Sequence, residues 1–271
     1  MTSYIEKHKD IIPQPVRETV TRRYHTITKA GNQVFWDSKS EVAHSLYVGS
    51  YGRSTAVQTG DVDVLYCLPQ SEFERFRKAS RNGQSRLLQA LREALKISFP
   101  TSDIRADGQV VKIQFSDGMK FEVLPAFHQI DYFGQEQSSF RYPDSNMGGN
   151  WKSTDPKAEQ KAMKQKNKAS NGLLQATCRH LRVVRNEHFS TLKLAGIVID
   201  SFAYNAIGNW KYLAPGQHSD SSAGDFEMML NDYFREHYLW FDSLYAPGSN
   251  QVVDLDTSRD ALGKILAYLV K

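Results

Sequence analysis

Residues 48–66 read VGSYGRSTAVQTGDVDVLY, in which a glycine-serine turn and a short polar loop lead into two aspartates separated by one valine. Because successive side chains of a β-strand point to opposite faces, Asp61 and Asp63 share one face, while Val62 and Val64 share the other. Two neighbouring carboxylates in a half-buried strand repel each other, and a cation between them removes that cost. The stretch therefore predicts a metal-binding strand.

A third acid stands in the later segment KFEVLP, residues 120–125, where Glu122 lies on the face opposite Phe121 and Val123. Oxygen-only ligands favour Mg²⁺, which takes one or two carboxylates and fills its other positions with water and substrate phosphates. Three acids on neighbouring strands predict two Mg²⁺ ions, with Mn²⁺ as an alternative. One ion would activate an attacking hydroxyl and the other would bind a triphosphate.

The pair Gly49-Ser50 supplies the complementary part of a nucleotide site. A glycine lets backbone amides approach a phosphate closely, and a serine hydroxyl can donate to its oxygens. The turn is not a Walker loop, because the string G-x-x-x-x-G-K-[ST] is absent. The alternative interpretation of the acids is a set of surface charges on an exposed strand edge.

Around this centre, the first half of the chain predicts a mixture of helices and strands. Two prolines precede a long helix over about 16–36, and a capping box at Ser71 and Glu74 predicts the start of another. A further helix follows Asn82-Gly83. The period then changes to two, and a tight turn at Asp117-Gly118 predicts that VVKIQF and MKFEVLPAF pair as antiparallel strands.

From Asp155 onward the pattern is mostly helical, with candidate helices at 155–187, 190–207, 224–240 and 258–270. The sequence therefore predicts an α+β fold: a half with mixed helices and strands over residues 1–150, which holds the acidic strands, and a helical lobe over residues 151–271. A cleft between the two halves is the expected place for a ligand.

Composition narrows the function classes. The 271 residues carry a formal net charge of +4, and the segment from Trp151 to Arg185 holds nine basic residues against two acidic ones. No stretch approaches the roughly 20 apolar residues of a membrane helix, and the N-terminus has charges where a signal peptide would be apolar. Cys67 and Cys178 fit no disulfide framework and no zinc spacing. We expect a cytoplasmic protein without a membrane partner.

Three strings carry a resemblance to a known family: GSYGRSTAVQTGDVDVLYCLP (residues 49–69), FEVLPAF (121–127) and GGNWKSTDPKAEQKAMKQKN (148–167). Together they resemble the bacterial cGAS/DncV-like nucleotidyltransferases, the SMODS group. The resemblance covers most of the chain. It implies a polymerase-β-like catalytic core with a helical lobe, and synthesis of cyclic di- or trinucleotide second messengers in anti-phage defence.

The resemblance also implies roles for single residues. Gly49 and Ser50 match the family's phosphate contact, Asp61 and Asp63 match its metal-binding pair, and Glu122 stands where many members have aspartate, so that we expect it to bind metal and act as general base. Candidate contacts to the triphosphate are Arg53 after the turn and, from the helical lobe, Arg179 and Arg182, one turn apart on a helix.

Two features limit these assignments. The alternative role for Arg179 and Arg182 is surface pairing with Glu187 or other nearby acids. The serine-tyrosine pair with which many relatives contact the donor base has no counterpart in LKLAGIVID, residues 192–200. The identity of the base therefore stays open.

The expected reaction is attack by a ribose hydroxyl of one nucleotide on the α-phosphate of another, with ATP and other ribonucleoside triphosphates as substrates. An enzyme that tails RNA or modifies a protein or small molecule is one alternative, since the basic segment could follow a phosphate backbone, although no required nucleic acid is predicted. An inactive relative that binds nucleic acid or a partner is the second. The prediction leaves room for an activating protein or ligand.

Overall fold

The computed structural model describes residues 4–8, 11–57, 61–79, 81–238, 243–255 and 257–271. These residues form two compact units. The first, called here the sheet unit, lies within Ile12–Gly52 and Gln58–Lys157; the second, the helical unit, lies within Met1–Ile11, Arg53–Val57 and Ala158–Lys271. The functional boundary at residue 150 stays a prediction, whereas these structural units divide the chain after Lys157.

The sheet unit contains four α-helices and seven strands among its described residues, besides a short 3-10 turn at Asn146–Gly148. In chain order they are α1 (Gln14–Phe35), β1 (Ser45–Tyr47), the short turn α2 (Gly49–Gly52), β2 (Asp61–Cys67), α3 (Gln70–Arg77), α4 (Gly83–Ser98), β3 (Asp103–Asp107), β4 (Val110–Gln114), β5 (Lys120–Ile130), β6 (Glu136–Asp144) and β7 (Asn150–Thr154). The polar loop of residues 58–60 in front of β2 lies outside the described residues.

The sheet is mixed, which confirms the predicted α+β class. Its main path is β1-β2-β5-β4-β3, with β6 pairing with β5 and β7 with β6. Only the pair of β2 and β5 is parallel among the described strands; the others are antiparallel. Because β5 has 11 residues, its first part pairs with β4 and its last part with β6.

The core of the sheet unit lies on the face of the sheet that α1 and α4 cover. Alternate residues of β2 and β5 point into it, including Val62, Val64, Phe121 and Val123, all of them fully buried. The α1 residues Val20, Tyr24 and Ile27 recur at helical spacing and complete this core. Burial of one strand face leaves the intervening residues of β2 and β5 on the other face.

Two local predictions about helix ends have opposite outcomes. The side chain of Asn82 caps α4 by accepting a hydrogen bond from the Ser85 amide at 2.9 Å, as the break at Asn82-Gly83 predicts. The capping box at Ser71 and Glu74 is wrong. The N-cap of α3 is Pro69, without a side-chain cap, and Ser71 lies inside the helix, because the restricted φ of proline already suits a helix start.

The helical unit contains α5 (Pro156–Ala169), whose first two residues belong to the sheet unit, and α6 (Leu173–His188), α7 (Gly196–Ala206), α8 (Asp225–Tyr238), β8 (Ser243–Tyr245), β9 (Val252–Asp254) and α9 (Arg259–Leu269).

The single helix predicted over 155–187 is wrong. Asn171 and Gly172 have φ of 52° and 91° and separate α5 from α6, since a left-handed backbone cannot continue a right-handed helix. Residues 239 and 240 of the helix predicted over 224–240 lie outside the described residues. No helix among the described residues is both long and apolar enough to cross a membrane.

A substitution at Gly31 tests the packing of α1 on the sheet. A Cβ at this position would lie 2.5 to 2.9 Å from ring atoms of Tyr66, which is fully buried on β2. Alanine normally stabilises a helix interior relative to glycine by about 1 kcal/mol. We expect Gly31→Ala instead to lower the free energy of unfolding by about 1–3 kcal/mol in urea denaturation, because the ring must shift.

The double variant Gly31→Ala/Tyr66→Leu serves as the control. If the ring causes the loss, Gly31→Ala costs less in the Tyr66→Leu background than in the wild type. An equal cost in both backgrounds would contradict the packing argument.

Candidate active site

The pairing of β2 with β5 brings two of the predicted carboxylates side by side. Asp63 is the register partner of Glu122, and Val62 is the partner of Phe121. Side chains that face each other across paired strands share a face, so the two acids lie together on the face opposite the core. Asp61 lies two residues earlier on the same face and is exposed. The predicted alternation of acids and valines is confirmed.

The turn before β2 fits closely around Asp63. The Val48 amide donates a hydrogen bond to the Asp63 carbonyl at 2.9 Å. Gly49 follows with a φ of +57°, and a Cβ built there would overlap the Asp63 carboxylate and lie 3.0 Å from its Cβ. Only glycine combines this backbone conformation with the missing side chain. Ser50 lies next to it in α2, half-buried.

Glu122 has a cationic neighbour on its other side. Lys112 of β4 is its register partner, and the Lys112 Nζ lies 3.4 Å from Glu122 Oε1 and 2.7 Å from Asp107 Oδ2. The hydrogen bond to Asp107, together with the charge of Glu122, raises the pKa of the Lys112 ammonium against a smaller opposing effect of burial. Glu122 therefore lies between the carboxylate of Asp63 and the ammonium of Lys112 on one face of the sheet.

A groove of about 630 Å³ runs over this part of the sheet. Its charged lining consists of four carboxylates, among them Asp61 and Glu122, and three cationic side chains, Arg105, Lys112 and Lys120. The donor set of the acids is oxygen only, which suits a hard divalent cation. Among the residues that the structure describes, no three His, Cys, Asp or Glu side chains lie close enough together to hold a metal ion.

The predicted triphosphate-binding arginines belong to the helical unit. Arg53 and Arg182 are only 8% and 3% exposed, and both donate to the fully buried Asp200. Arg53 Nε lies 2.7 Å from Asp200 Oδ2, and Arg182 Nη1 lies 2.6 Å from Asp200 Oδ1. Thr55 donates a third hydrogen bond to the same carboxylate at 2.9 Å.

A second buried acid completes the charge balance of this cluster. Arg53 Nη1 donates to Glu159 Oε2 at 2.8 Å, so two guanidinium groups meet two carboxylates. Arg179 Nη2 donates to the Ser54 carbonyl at 2.9 Å. Contacts of these three arginines with a triphosphate stay a prediction. In the structure, Arg53 through Asp200 and Glu159, and Arg179 through the Ser54 carbonyl, hold residues 53–55 within the helical unit.

Burial and charge act in opposite directions on Asp200. Burial alone would raise its pKa, but the neighbouring charges of Arg182 and Arg53, and their hydrogen bonds, lower it from 3.8 to about 2. The carboxylate is thus charged at neutral pH in a place without solvent. Such a group is stable only with its partners, because removing one of them leaves an uncompensated buried charge.

The sequence-based prediction missed several residues of these clusters, among them Asp200 and Lys112. Asp200 is the only charged residue of the mainly apolar α7, GIVIDSFAYNA, and a lone acid in such a helix is itself a signal for a buried ion pair. Lys112 is the cation in the strand VVKIQ. Nothing in its local sequence names Glu122 as its partner, because that contact depends on the register of β4 with β5.

A family model described as Second Messenger Oligonucleotide or Dinucleotide Synthetase domain matches residues 3–167, which is more than half of the chain. The matched range includes α1, the whole sheet and most of α5. No curated protein sequence matches the chain.

Solved structures of cyclic dinucleotide synthases have a similar fold. The CdnE cyclic dinucleotide synthase of Elizabethkingia meningoseptica, with GTP and Apcpp, has a TM-score of 0.63 at 16% identity, over 93% of this chain and 89% of its own. The STING-associated CdnE c-di-GMP synthase of Capnocytophaga granulosa has a TM-score of 0.64 at 14% identity, over 95% and 81%. The Rhodothermus marinus CdnE c-UMP-AMP synthase, with Apcpp and Upnpp, has a TM-score of 0.60 at 15% identity, over 93% and 90%.

The depressed pKa of Asp200 predicts a pH dependence of stability. A carboxylate with a lower pKa in the folded than in the unfolded state stabilises the fold above its unfolded pKa, and this contribution disappears as the pH falls through the folded value. Between about pH 4 and pH 2 we expect the wild type to lose about 2 kcal/mol of unfolding free energy through this group.

The variant Asp200→Asn isolates the effect in denaturant titrations. We expect it to be less stable than the wild type by about 3–5 kcal/mol at pH 7, and the difference to narrow as the pH falls from 4 to 2. The matched control is Asp260→Asn, at an exposed ion pair of α9. A stability difference that stays constant over this pH range would show that Asp200 is not the titrating group.

Proposed function

The chain belongs to the family of Second Messenger Oligonucleotide or Dinucleotide Synthetase domains, and we propose that it joins ribonucleoside triphosphates into a cyclic di- or trinucleotide with release of pyrophosphate. The observation that carries this proposal is the register of β2 and β5, in which Asp63 stands beside Glu122 while Gly49 fits against Asp63. The Gly49-Ser50 turn, which we propose to bind phosphate, thus lies beside an acidic pair of one sheet.

We further propose that Asp61, Asp63 and Glu122 hold two Mg²⁺ ions, for which Mn²⁺ can substitute. The oxygen donors, the adjacent register positions of Asp63 and Glu122, and the close approach of Gly49 to the Asp63 carboxylate support this assignment. When bound, divalent ions supply charge neutralisation for a triphosphate and lower the pKa of a coordinated hydroxyl.

The residues of the chain would divide the remaining work. The Gly49 backbone and the Ser50 hydroxyl bind phosphate oxygens of the donor nucleotide, and Glu122 accepts the proton of the attacking ribose hydroxyl. The hydroxyl oxygen forms a bond to the α-phosphorus, the bond from this phosphorus to the bridging oxygen breaks, and pyrophosphate leaves with that electron pair. A second round on the linear product would close the ring.

The finer parts of the proposal depend on the family rather than on this geometry. We propose a role in anti-phage signalling, a cytoplasmic location, and room for an activating protein or ligand. The similar enzymes with GTP, Apcpp or Upnpp support ribonucleoside triphosphates as substrates. Because the segment 192–200 lacks the serine-tyrosine pair expected for base contact, the bases joined by this chain need direct measurement.

Product analysis tests the proposal, with Asp63→Asn as the decisive variant. The protein is incubated with the four labelled ribonucleoside triphosphates and Mg²⁺, and the products are treated with phosphatase and identified by mass spectrometry. We expect phosphatase-resistant cyclic products from the wild type and a fall in rate of at least about 10³-fold for Asp63→Asn, because the amide loses the charge that holds the cation.

The matched control is Asp117→Asn, which makes the same chemical change at an exposed turn of the sheet unit and should keep its rate. Extension of added RNA would favour an RNA-tailing enzyme, and labelled protein or small molecules would favour the other acceptors. Absence of Mg²⁺-dependent turnover under all activating conditions would favour the inactive binding relative. An Asp63→Asn variant as fast as the wild type would refute the metal-site assignment.

A further inference from the structure

Glu122 occupies the middle position in a row of three charged residues on three neighbouring strands. Asp63 of β2 stands on one side of it and Lys112 of β4 on the other, both in direct register. All three side chains lie on the sheet face opposite the core. Without any ligand, the carboxylate of Glu122 therefore has the like charge of Asp63 on one side and the opposite charge of Lys112 on the other.

The ammonium of Lys112 has two acceptors of unequal distance. It lies 2.7 Å from Asp107 Oδ2 and 3.4 Å from Glu122 Oε1. Asp107 belongs to β3, on the side of β4 away from β5, so Lys112 can keep its hydrogen bond to Asp107 while its distance from Glu122 grows. The side chain is 46% exposed, which leaves it free to change rotamer without disturbing the core.

The two cations compete for one carboxylate. A positive charge beside Glu122 offsets the repulsion between Glu122 and Asp63 while no metal is bound. A divalent ion on Glu122 would meet the like charge of an ammonium within a few ångströms, at a distance where partly exposed charges are only weakly screened. A divalent ion on Glu122 would therefore favour a position of Lys112 farther from Glu122.

We propose that Lys112 is a resident counter-cation of Glu122, which a divalent ion displaces on binding, and that Asp107 retains the displaced ammonium. Lys112 is thus a positioning residue that acts through Glu122. The inference rests on the proposed function to the extent that Glu122 is a metal ligand. It predicts that Lys112 lowers the affinity of the site for metal. A lysine that bound substrate would instead raise the affinity for substrate.

Binding of Mn²⁺ to the 271-residue chain without nucleotide tests this inference, with free Mn²⁺ measured by electron paramagnetic resonance. We expect Lys112→Met to lower the dissociation constant for Mn²⁺ about three- to tenfold, because a competing unit charge is removed. Lys112→Arg keeps the cation and should bind as the wild type does. The effect of Lys112→Met should shrink as salt rises above about 0.1 M.

The chain offers two matched controls. Lys29→Met removes a lysine of similar exposure whose Nζ lies 2.9 Å from Glu41 Oε1 in the same unit, and it should leave the affinity unchanged. Asp107→Asn removes the negative charge that retains the displaced ammonium and should weaken Mn²⁺ binding by more than Asp103→Asn, which removes a charge from the same groove.

The outcomes separate the inference from the function on which it rests. If the wild type binds Mn²⁺ and Asp63→Asn does not, while Lys112→Met has unchanged or weaker affinity, the role of Lys112 is refuted and the metal site stands. If the wild type and Asp63→Asn both fail to bind Mn²⁺, the metal site is refuted and the role of Lys112 falls with it.

Discussion

The parallel pairing of β2 with β5 is the constraint on which the candidate site depends. Parallel neighbours cannot be joined by a tight hairpin, and the connection between them must cross over. Here α3, α4, β3 and β4 form the connection, and β4 returns as the other neighbour of β5. One crossover therefore gives Glu122 both of its neighbours, the acid of β2 and the lysine of β4.

The two charged clusters follow different physical rules. On the sheet face, the acids are half-buried or exposed and keep contact with water, so their charges can be exchanged among partners at small cost. Around Asp200, two guanidinium groups and two carboxylates are removed from solvent together, and each depends on the others. The exposed cluster on the sheet suits a site that must accept ligands. The buried cluster around Asp200 suits a permanent structural contact within the helical unit.

Much of the fold followed from local patterns. The period of two in DVDVLY and VVKIQF identified β2 and β4 and separated acids from valines, because one buried face imposes alternation. The turns at Asp117-Gly118 and Asn82-Gly83 were equally clear. Strands β3, β6 and β7 escaped prediction, since they are polar and exposed along much of their length and are held by pairing with neighbours rather than by burial.

The candidate site was predictable in part for the same reason. The face shared by Asp61 and Asp63 is a property of one strand. The contacts of Lys112 instead depend on how β4 pairs with its neighbours, and the carboxylates that pair with Arg53 and Arg182 lie on α5 and α7. A guanidinium looks the same in a sequence whether it meets a phosphate or a buried carboxylate. Only the distances to Asp200 and the low exposure of Arg53 and Arg182 reveal that these charges already have protein partners.

The close fit of Gly49 against Asp63 also limits the length of the acid at position 63. A carboxylate longer by one methylene at position 63 would have to enter the space that the Gly49 backbone already fills. Position 122 carries no such limit, because the Glu122 side chain is 31% exposed and extends toward the groove. The available volume thus explains why β2 carries an aspartate at position 63 while β5 carries the longer glutamate at position 122. This difference in length does not depend on which reaction the site performs.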